Sequence, residues 1–343
     1  MAGAGQGQNF RMVRAVKSNA ALRMGVIGIG TMGSNHARVL AGISGVNLVG
    51  VADPDRAQRE LVTGALGCPA VESVEALLDL GVDAVTIAAP THLHRDIALI
   101  CIERGIHVLV EKPIASSVEE GHEIIAAARR AGVTLMAGHV ERFNPAVQAI
   151  KNAIRGEDIL SIAITRVGPF PPRMSNVGVV IDLAVHDIDL IGWFTDSKIV
   201  EVQPQVSSAL AEREDIALLQ FRTASGVLAH INTNWLTPFK ARNVTVATRG
   251  KYVMGDLLTR QVTECFGFQA DGSYSMRHLS VGHDEPLRAE LISFIESVRN
   301  GKPPAVTGEQ AVASLEIAIR CLEGRPAATV AARRKGPQRV VAL

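Results

Sequence analysis

Aromatic residues make up only 4% of the 343-residue sequence, and there are two tyrosines, Tyr252 and Tyr274. Asp256 and His278, not lysines, stand four places after them, which excludes a Tyr-x-x-x-Lys pair in which lysine lowers the tyrosine pKa. The four cysteines, Cys68, Cys101, Cys265 and Cys321, are scattered with no Cys-x-x-Cys pair, arguing against a disulfide framework or a structural zinc. A catalytic zinc needs about three grouped ligands, which these cysteines do not offer, so no metal is expected. A reducing cytoplasm suits them best. Charge of one sign is also missing: the formal net charge is +1, leaving no field to hold nucleic acid or anionic lipid. No apolar run approaches the roughly 20 residues that span a bilayer, so no membrane segment is expected.

What is present is the balance of a globular protein, 47% apolar and 20% charged, with length enough for roughly two domains. Residues 1–23 contain Arg11, Arg14, Lys17 and Arg23 but no acid, a composition transit peptides share. Little in them could offset the entropy of ordering, so they read as a disordered leader before Met24. The basic tail, 326–343, reads the same way.

From Met24 a rhythm of short β-branched runs, turns and amphipathic stretches predicts strands at 25–28, 47–52, 83–88, 107–110 and 134–137. Between the last two, Ser117 and Glu120 form a capping-box signature ahead of a helical apolar face, Val118, Ile124, Ile125 and Ala128. This is a doubly wound parallel α/β sheet of the Rossmann type, assigned to residues 24–143. After Gly168 the rhythm changes to consecutive strands, 199–208, 216–223, 226–235, 244–248 and 261–266, predicting an α+β domain over 144–325 with an open, mainly antiparallel sheet. Helices at 287–298 and 308–322 are expected to pack back on the first domain.

Gly28-x-Gly30-x-x-Gly33 lies between the first strand and a helix beginning near Thr31. Gly28 permits the tight turn, Gly30 admits a pyrophosphate to the backbone, and the helix offers free N–H groups and a positive dipole end. Asp53 follows the second strand, twenty residues after Gly33, where a carboxylate accepts hydrogen bonds from ribose hydroxyls. Asp53 and Asp55 would repel a 2′-phosphate, favouring NAD over NADP, although Arg56 lies close by.

For chemistry, Glu111-Lys112-Pro113 closes a strand, the end at which open sheets bind ligands. If residues 179–189 are helical, Asp182, His186 and Asp189 share one face at spacings of four and three. A histidine beside a carboxylate and a lysine can take a hydroxyl proton while nicotinamide accepts hydride from the same carbon. The bland readings are a surface Lys112, and a structural pair or a two-ligand metal edge for Asp182 and His186. His92 and His94 fit a metal, the nicotinamide site or solvent equally.

These motifs, with Ala89-Pro90-Thr91-x-x-His94 and Arg142-Phe143-Asn144-Pro145, resemble those of the glucose-fructose oxidoreductase, inositol dehydrogenase and rhizopine catabolism (Gfo/Idh/MocA) family from about Met24 to Gly324. The resemblance implies that Lys112 hydrogen-bonds the reacting oxygen, His186 is the acid/base and Asp182 orients the histidine or the substrate. It implies a cofactor-binding set of Gly28, Gly30, Thr31, Met32, Gly33, Asp53, Pro90, Thr91, His94, Glu111 and Lys112. Arg142, Asn144, Arg166, Arg173 and Asn234 would join the catalytic three at the substrate. Residues 168–173 and Asn234-Trp235-Leu236-Thr237-Pro238 are similar to the branch acting on the 3-hydroxyl of UDP-N-acetylglucosamine, whose ketone product goes to an aminotransferase. Arg166, Arg173, Lys240 and Arg242 would then be available to a diphosphate. A homo-oligomer, dimer or tetramer, is expected through the open sheet. The alternatives are a dehydrogenase or reductase of a free sugar or inositol, and a noncatalytic NAD-binding sensor.

Overall fold

The computed structural model describes residues 20–171 and 177–323. The first layer runs β1 (Leu22–Ile27), α1 (Thr31–Ala41), β2 (Val46–Ala52), α2 (Arg56–Leu66), β3 (Ala70–Val71), α3 (Val74–Asp79), β4 (Ala84–Ile87), α4 (His94–Glu103), β5 (His107–Glu111), α5 (Val118–Ala131) and β6 (Leu135–Gly138). Its six strands are all parallel, in the order β3-β2-β1-β4-β5-β6. Every residue of β4 and β5 is buried, as a strand covered by helices on both faces requires. The chain leaves β1 toward one side of the sheet and β4 toward the other, so a crevice opens where their carboxyl ends meet.

β1 begins two residues before the Met24 boundary drawn from sequence. Leu22 is wholly buried, and the Arg23 side chain donates to the Leu80 carbonyl at 2.7 Å, so both residues have partners that a disordered leader would lack. Residues 1–19 of the leader and the tail, 326–343, lie outside the described residues. In α5 the Ser117 hydroxyl caps the Glu120 N–H at 3.2 Å, and Glu120 returns to the Ser116 N–H at 3.0 Å.

The second layer contains α6 (Pro145–Ala153), β7 (Ile159–Pro169), a π-helical turn Val180–Ala184 running into α7 (Val185–Thr195), then β8 (Ile199–Ser207), β9 (Ile216–Thr223), β10 (Leu228–Asn234), β11 (Leu236–Thr248), β12 (Lys251–Asp256), β13 (Gln261–Phe266) and β14 (Ser275–Leu279). The strand order is β14-β13-β12-β11-β7-β10-β9-β8, and pairing is antiparallel except between β7 and β10. Strict alternation in β9, with Ala217, Leu219, Phe221 and Thr223 buried, turns one face onto α6 and α7. The other face presents Leu218, Leu228, Tyr252 and Met254 to solvent. β11 starts eight residues earlier than its sequence assignment, and its pairing with β7 slips between Leu236 and Ala241, around Pro238, which has no N–H to give.

Two helices close the described chain, α8 (Pro286–Asn300) and α9 (Gly308–Glu323). Leu287, Leu291, Phe294 and Ile295 of α8 enter the core of the parallel layer. α9 serves both cores: Ala311, Val312 and Leu315 join the first, and Ile317, Ala318 and Cys321 the second. Among the described residues no helix is long and apolar enough to cross a membrane.

Candidate functional site

At the carboxyl end of β1, Gly28 takes φ +79°, and a Cβ there would stand 2.6 Å from the Ala89 nitrogen. A Cβ on Gly33 would reach within 1.7 Å of the Gly28 carbonyl oxygen, so α1 sits directly on the turn only because that residue is glycine. Gly30 is different. It heads α1 with no side-chain cap, and a Cβ on it would meet nothing within 4 Å. The first N–H groups of α1 therefore face open space, with the Thr31 and Met32 side chains exposed beside them.

Asp53 holds this loop to the end of β2. One carboxylate oxygen accepts from the Ile29 N–H at 2.8 Å and the other from the Asp55 N–H at 2.8 Å, leaving further lone pairs for a ribose diol. Asp55 caps α2, and Arg56 turns away to Glu60 at 2.8 Å. The uncapped helix, the glycine cradle and the free acceptors fit a dinucleotide. Pro90 and Thr91 border the same crevice from the end of β4.

The chemical groups meet at the next strand end. Lys112, immediately after β5, donates through Nζ to the Asp182 carbonyl at 2.8 Å and to its carboxylate at 3.1 Å. Asp182 lies in the π-helical turn, whose wider coil keeps it one turn from His186 at the start of α7. His186 Nδ1 is buried and has no hydrogen-bond partner among the described residues. Burial first, then the charges of Lys112 and Arg166, push the His186 pKa well below the ordinary value. The imidazole is consequently neutral at pH 7 and able to accept a proton. His139, just beyond β6, meets it edge-on, with ring centroids 6.3 Å apart at 88°.

Several residues expected at this site are placed elsewhere. His94 is buried and spans two turns, Nδ1 lying 2.9 Å from the Pro113 carbonyl and Nε2 2.8 Å from the Ala89 carbonyl, so it braces the crevice wall without facing the crevice. Glu111 points inward to His36 at 2.9 Å. Arg142 gives both arms of its guanidinium to Asp189, each at 2.7 Å, and the remainder to Gln310 and the Ala305 carbonyl. That pair commits the Asp189 carboxylate to Arg142, although His139 lies near both Asp189, at 3.7 Å, and the His186 ring. Asn144 caps α6 through the Ala146 N–H at 3.0 Å.

Arg166 is buried between Asp187, at 2.7 Å, and Glu141, at 2.8 Å, with no donor directed at a ligand. Buried guanidinium groups demand such counter-charges, and an arginine in an apolar strand was the one sequence signal for them. Sequence reasoning missed Glu141, Asp187 and His139. Arg242 shares Glu141 at 3.0 Å but keeps its side chain 36% exposed, so of the two arginines it is the one open to a ligand. Lys240 is exposed, while Asn234 is half-buried with its side-chain oxygen taken by the Leu236 N–H at 3.0 Å. Arg173 lies outside the described residues. His92 is exposed. A separate cleft of about 740 Å³ opens at the opposite, amino ends of β5 and β6, beside His107 and Thr134, away from Lys112.

Comparison with known proteins agrees with this geometry. Residues 22–139 match the model described as the oxidoreductase family, NAD-binding Rossmann fold, and residues 159–253 match the GFO/IDH/MocA C-terminal domain. The chain is 30% identical over 286 residues to the UDP-N-acetylglucosamine 3-dehydrogenase of Acidithiobacillus ferrooxidans, covering 82% of this chain and 90% of that protein. It is also 30% identical over 318 residues to the scyllo-inositol 2-dehydrogenase (NAD(+)) of Bacillus subtilis, covering 87% and 92%. A solved structure of the Acidithiobacillus enzyme superposes with a TM-score of 0.82 at 28% identity, over 87% of this chain and 96% of that one.

Proposed function

The chain belongs to the Gfo/Idh/MocA family of NAD(P)-dependent oxidoreductases acting on CH–OH groups, and from that premise we propose that it oxidises a secondary hydroxyl of a sugar, with the 3-hydroxyl of UDP-N-acetylglucosamine as substrate. The observation that carries the reaction type is the meeting of Lys112, Asp182 and a neutral, half-buried His186 beside the glycine cradle. Bound NAD supplies the hydride acceptor. The Lys112 ammonium donates to the hydroxyl oxygen and stabilises the charge that grows there as the proton leaves. The His186 imidazole takes that proton. Asp182 holds Lys112 through two acceptors and is replaced in part by substrate oxygen. Asp53, with Asp55 beside it, favours the 2′-hydroxyl of NAD over a 2′-phosphate.

The nucleotide-sugar reading is supported by the Acidithiobacillus likeness, by the exposed Lys240 and by the half-buried Arg242, whose side chain keeps 36% of its surface open to a diphosphate. The equal identity to an inositol dehydrogenase favours a second reading, a free cyclitol or sugar. NADH formation from NAD with UDP-N-acetylglucosamine, free N-acetylglucosamine and myo-inositol, with a carbonyl trap present, separates the two. Turnover confined to the nucleotide sugar supports the first; turnover with the free compounds alone replaces it with the second. Silence across the panel with proven NAD binding supports a sensor instead. An aminotransferase acting on the ketone is the partner the first reading calls for. Four buried free cysteines fit a reducing cytoplasm, and the apolar open face of the mixed sheet fits a homo-oligomer.

A further inference from the structure

Behind the Glu-Lys-Pro turn, α1, the end of β5 and α8 converge on a cluster closed to solvent. His36 and Glu290 are fully buried, and Glu111 is 6% exposed. A ligating atom from each of the three lies within 4.8 Å of those from the other two. His36 Nε2 is 2.9 Å from one Glu111 oxygen, and the second accepts from the Lys112 N–H at 3.1 Å. Neither oxygen of Glu290 has a hydrogen-bond partner among the described residues. The Glu111 carboxyl occupies the space that a side chain at Gly138 would need, since a Cβ there would stand 3.1 Å from its carboxyl carbon.

Two carboxylates this close and out of water do not both ionise. Burial pushes Glu111 up, but the His36 hydrogen bond and the His36 and Lys112 charges outweigh it, and its pKa falls. Glu290 has no such donors: burial and the charge of Glu111 push it well above the ordinary carboxyl value. The other titratable groups bearing on Glu111 are His94 from α4 and His139 beyond β6, both with pKa values lowered by burial. A divalent cation is the rival occupant. Bonds of about 2.0–2.2 Å in tetrahedral geometry hold ligand atoms roughly 3.4 Å apart, wider than the 2.9 Å between His36 and Glu111, which is hydrogen-bond length.

We propose that His36, Glu111 and Glu290 form a proton-sharing triad in which Glu290 is a carboxylic acid at neutral pH, donating to Glu111 and so fixing the turn that presents Lys112. Glu290 is thus a positioning residue, acting through Glu111. Its effect on Lys112 rests on the proposed dehydrogenase reaction; its protonation does not.

The test is infrared spectroscopy of the full chain at pH 8, with the Glu290→Gln variant, a neutral side chain that still donates, as reference. The carbonyl stretch of a protonated carboxylic acid should be present in the wild type and missing from the variant. Thermal melts from pH 5 to 8 provide a second readout. Unfolded Glu290 ionises near its ordinary value while the folded group keeps its proton, so the wild type loses ground to the variant by up to about tenfold in folding equilibrium per pH unit. In turnover, Glu290→Leu, which cannot donate, should lose more than tenfold in kcat at unchanged NAD Kd, with Glu290→Gln restoring most of it. Absence of the acid band, a pH-independent difference in melting, or one tightly bound divalent cation per chain in the purified protein overturns the triad. The first two readouts need no substrate, so they fail or succeed independently of the proposed function.

Discussion

Lys112 is tied to Asp182 twice, Nζ donating to its carbonyl at 2.8 Å and to its carboxylate at 3.1 Å, so a single ammonium links the end of the parallel sheet to the helical turn of the second layer. Only the carboxylate bond is negotiable. The carbonyl belongs to the π-helical turn, and in the proposed reaction it would keep Nζ in place while the carboxylate partner exchanges for a reacting oxygen.

Lys112→Met should therefore leave NAD affinity within about threefold and lower kcat by roughly 10²–10⁴-fold. Titration of NAD into the variant, followed by single-turnover NADH formation, separates the two quantities. Turnover near the wild-type rate would remove Lys112 from the mechanism.

Asp53→Ala removes a charged acceptor from the Ile29 and Asp55 N–H groups and from the ribose. NAD binding should weaken by about 1.5–3 kcal/mol, roughly ten- to a hundredfold, and discrimination against NADP should relax. The measurement is the ratio of kcat/KM for the two cofactors. An unchanged ratio would mean that the acid at this position does not select the cofactor.

His186 has a folded pKa well below the ordinary histidine value of about 6.5. The unfolded chain thus binds a proton that the folded chain refuses. Stability is retained above pH 6.5 and falls as the pH drops through that value. Melting curves of the wild type and His186→Asn at pH 7 and pH 5 should show the wild type losing more on acidification. The same shift predicts that the acid limb of kcat/KM for oxidation lies below pH 6.5; a limb above it would assign proton removal to another group.

Asp189→Asn leaves the Arg142 guanidinium buried without its counter-charge, which costs about 3–5 kcal/mol. Chemical denaturation should show this loss, with NAD affinity in the fraction still folded unchanged. A stability within 1 kcal/mol of wild type, on the order expected for surface changes, would show that the pair is solvated in the folded protein.

The parallel layer was legible because each signal in it is local. β-branched runs, the three glycines and Asp53 each specify their own short segment, and Ser117 and Glu120 announce the start of α5. The second layer was harder. β7 and β10 pair in parallel between residues 67 positions apart, a register no short window contains. β14 is an edge strand with exposed residues at 275–278, so it carries little apolar pattern to find.

Within the site the residue types were legible but their directions were not. His94, Arg142 and Arg166 were expected as ligand contacts because the family resemblance implied them. Each proved to be buried, because its partners, Pro113 and Ala89, Asp189, and Asp187 with Glu141, come from segments that meet only in the fold. Glu290 belongs to the same class: nothing in the amphipathic pattern of α8 distinguishes a carboxyl directed at Glu111 from one directed at water.

α9 ties the two walls of the crevice together. A hinge needs a seam along which two bodies can part, and here one rigid helix is mortared into both, through Ala311, Val312 and Leu315 on one side and Ile317, Ala318 and Cys321 on the other. Swinging the layers apart would strip one of these rows, at about 1.5–3 kcal/mol for each large aliphatic exposed. Parting the jaw therefore carries an energetic cost that a seam of loop contacts would not impose.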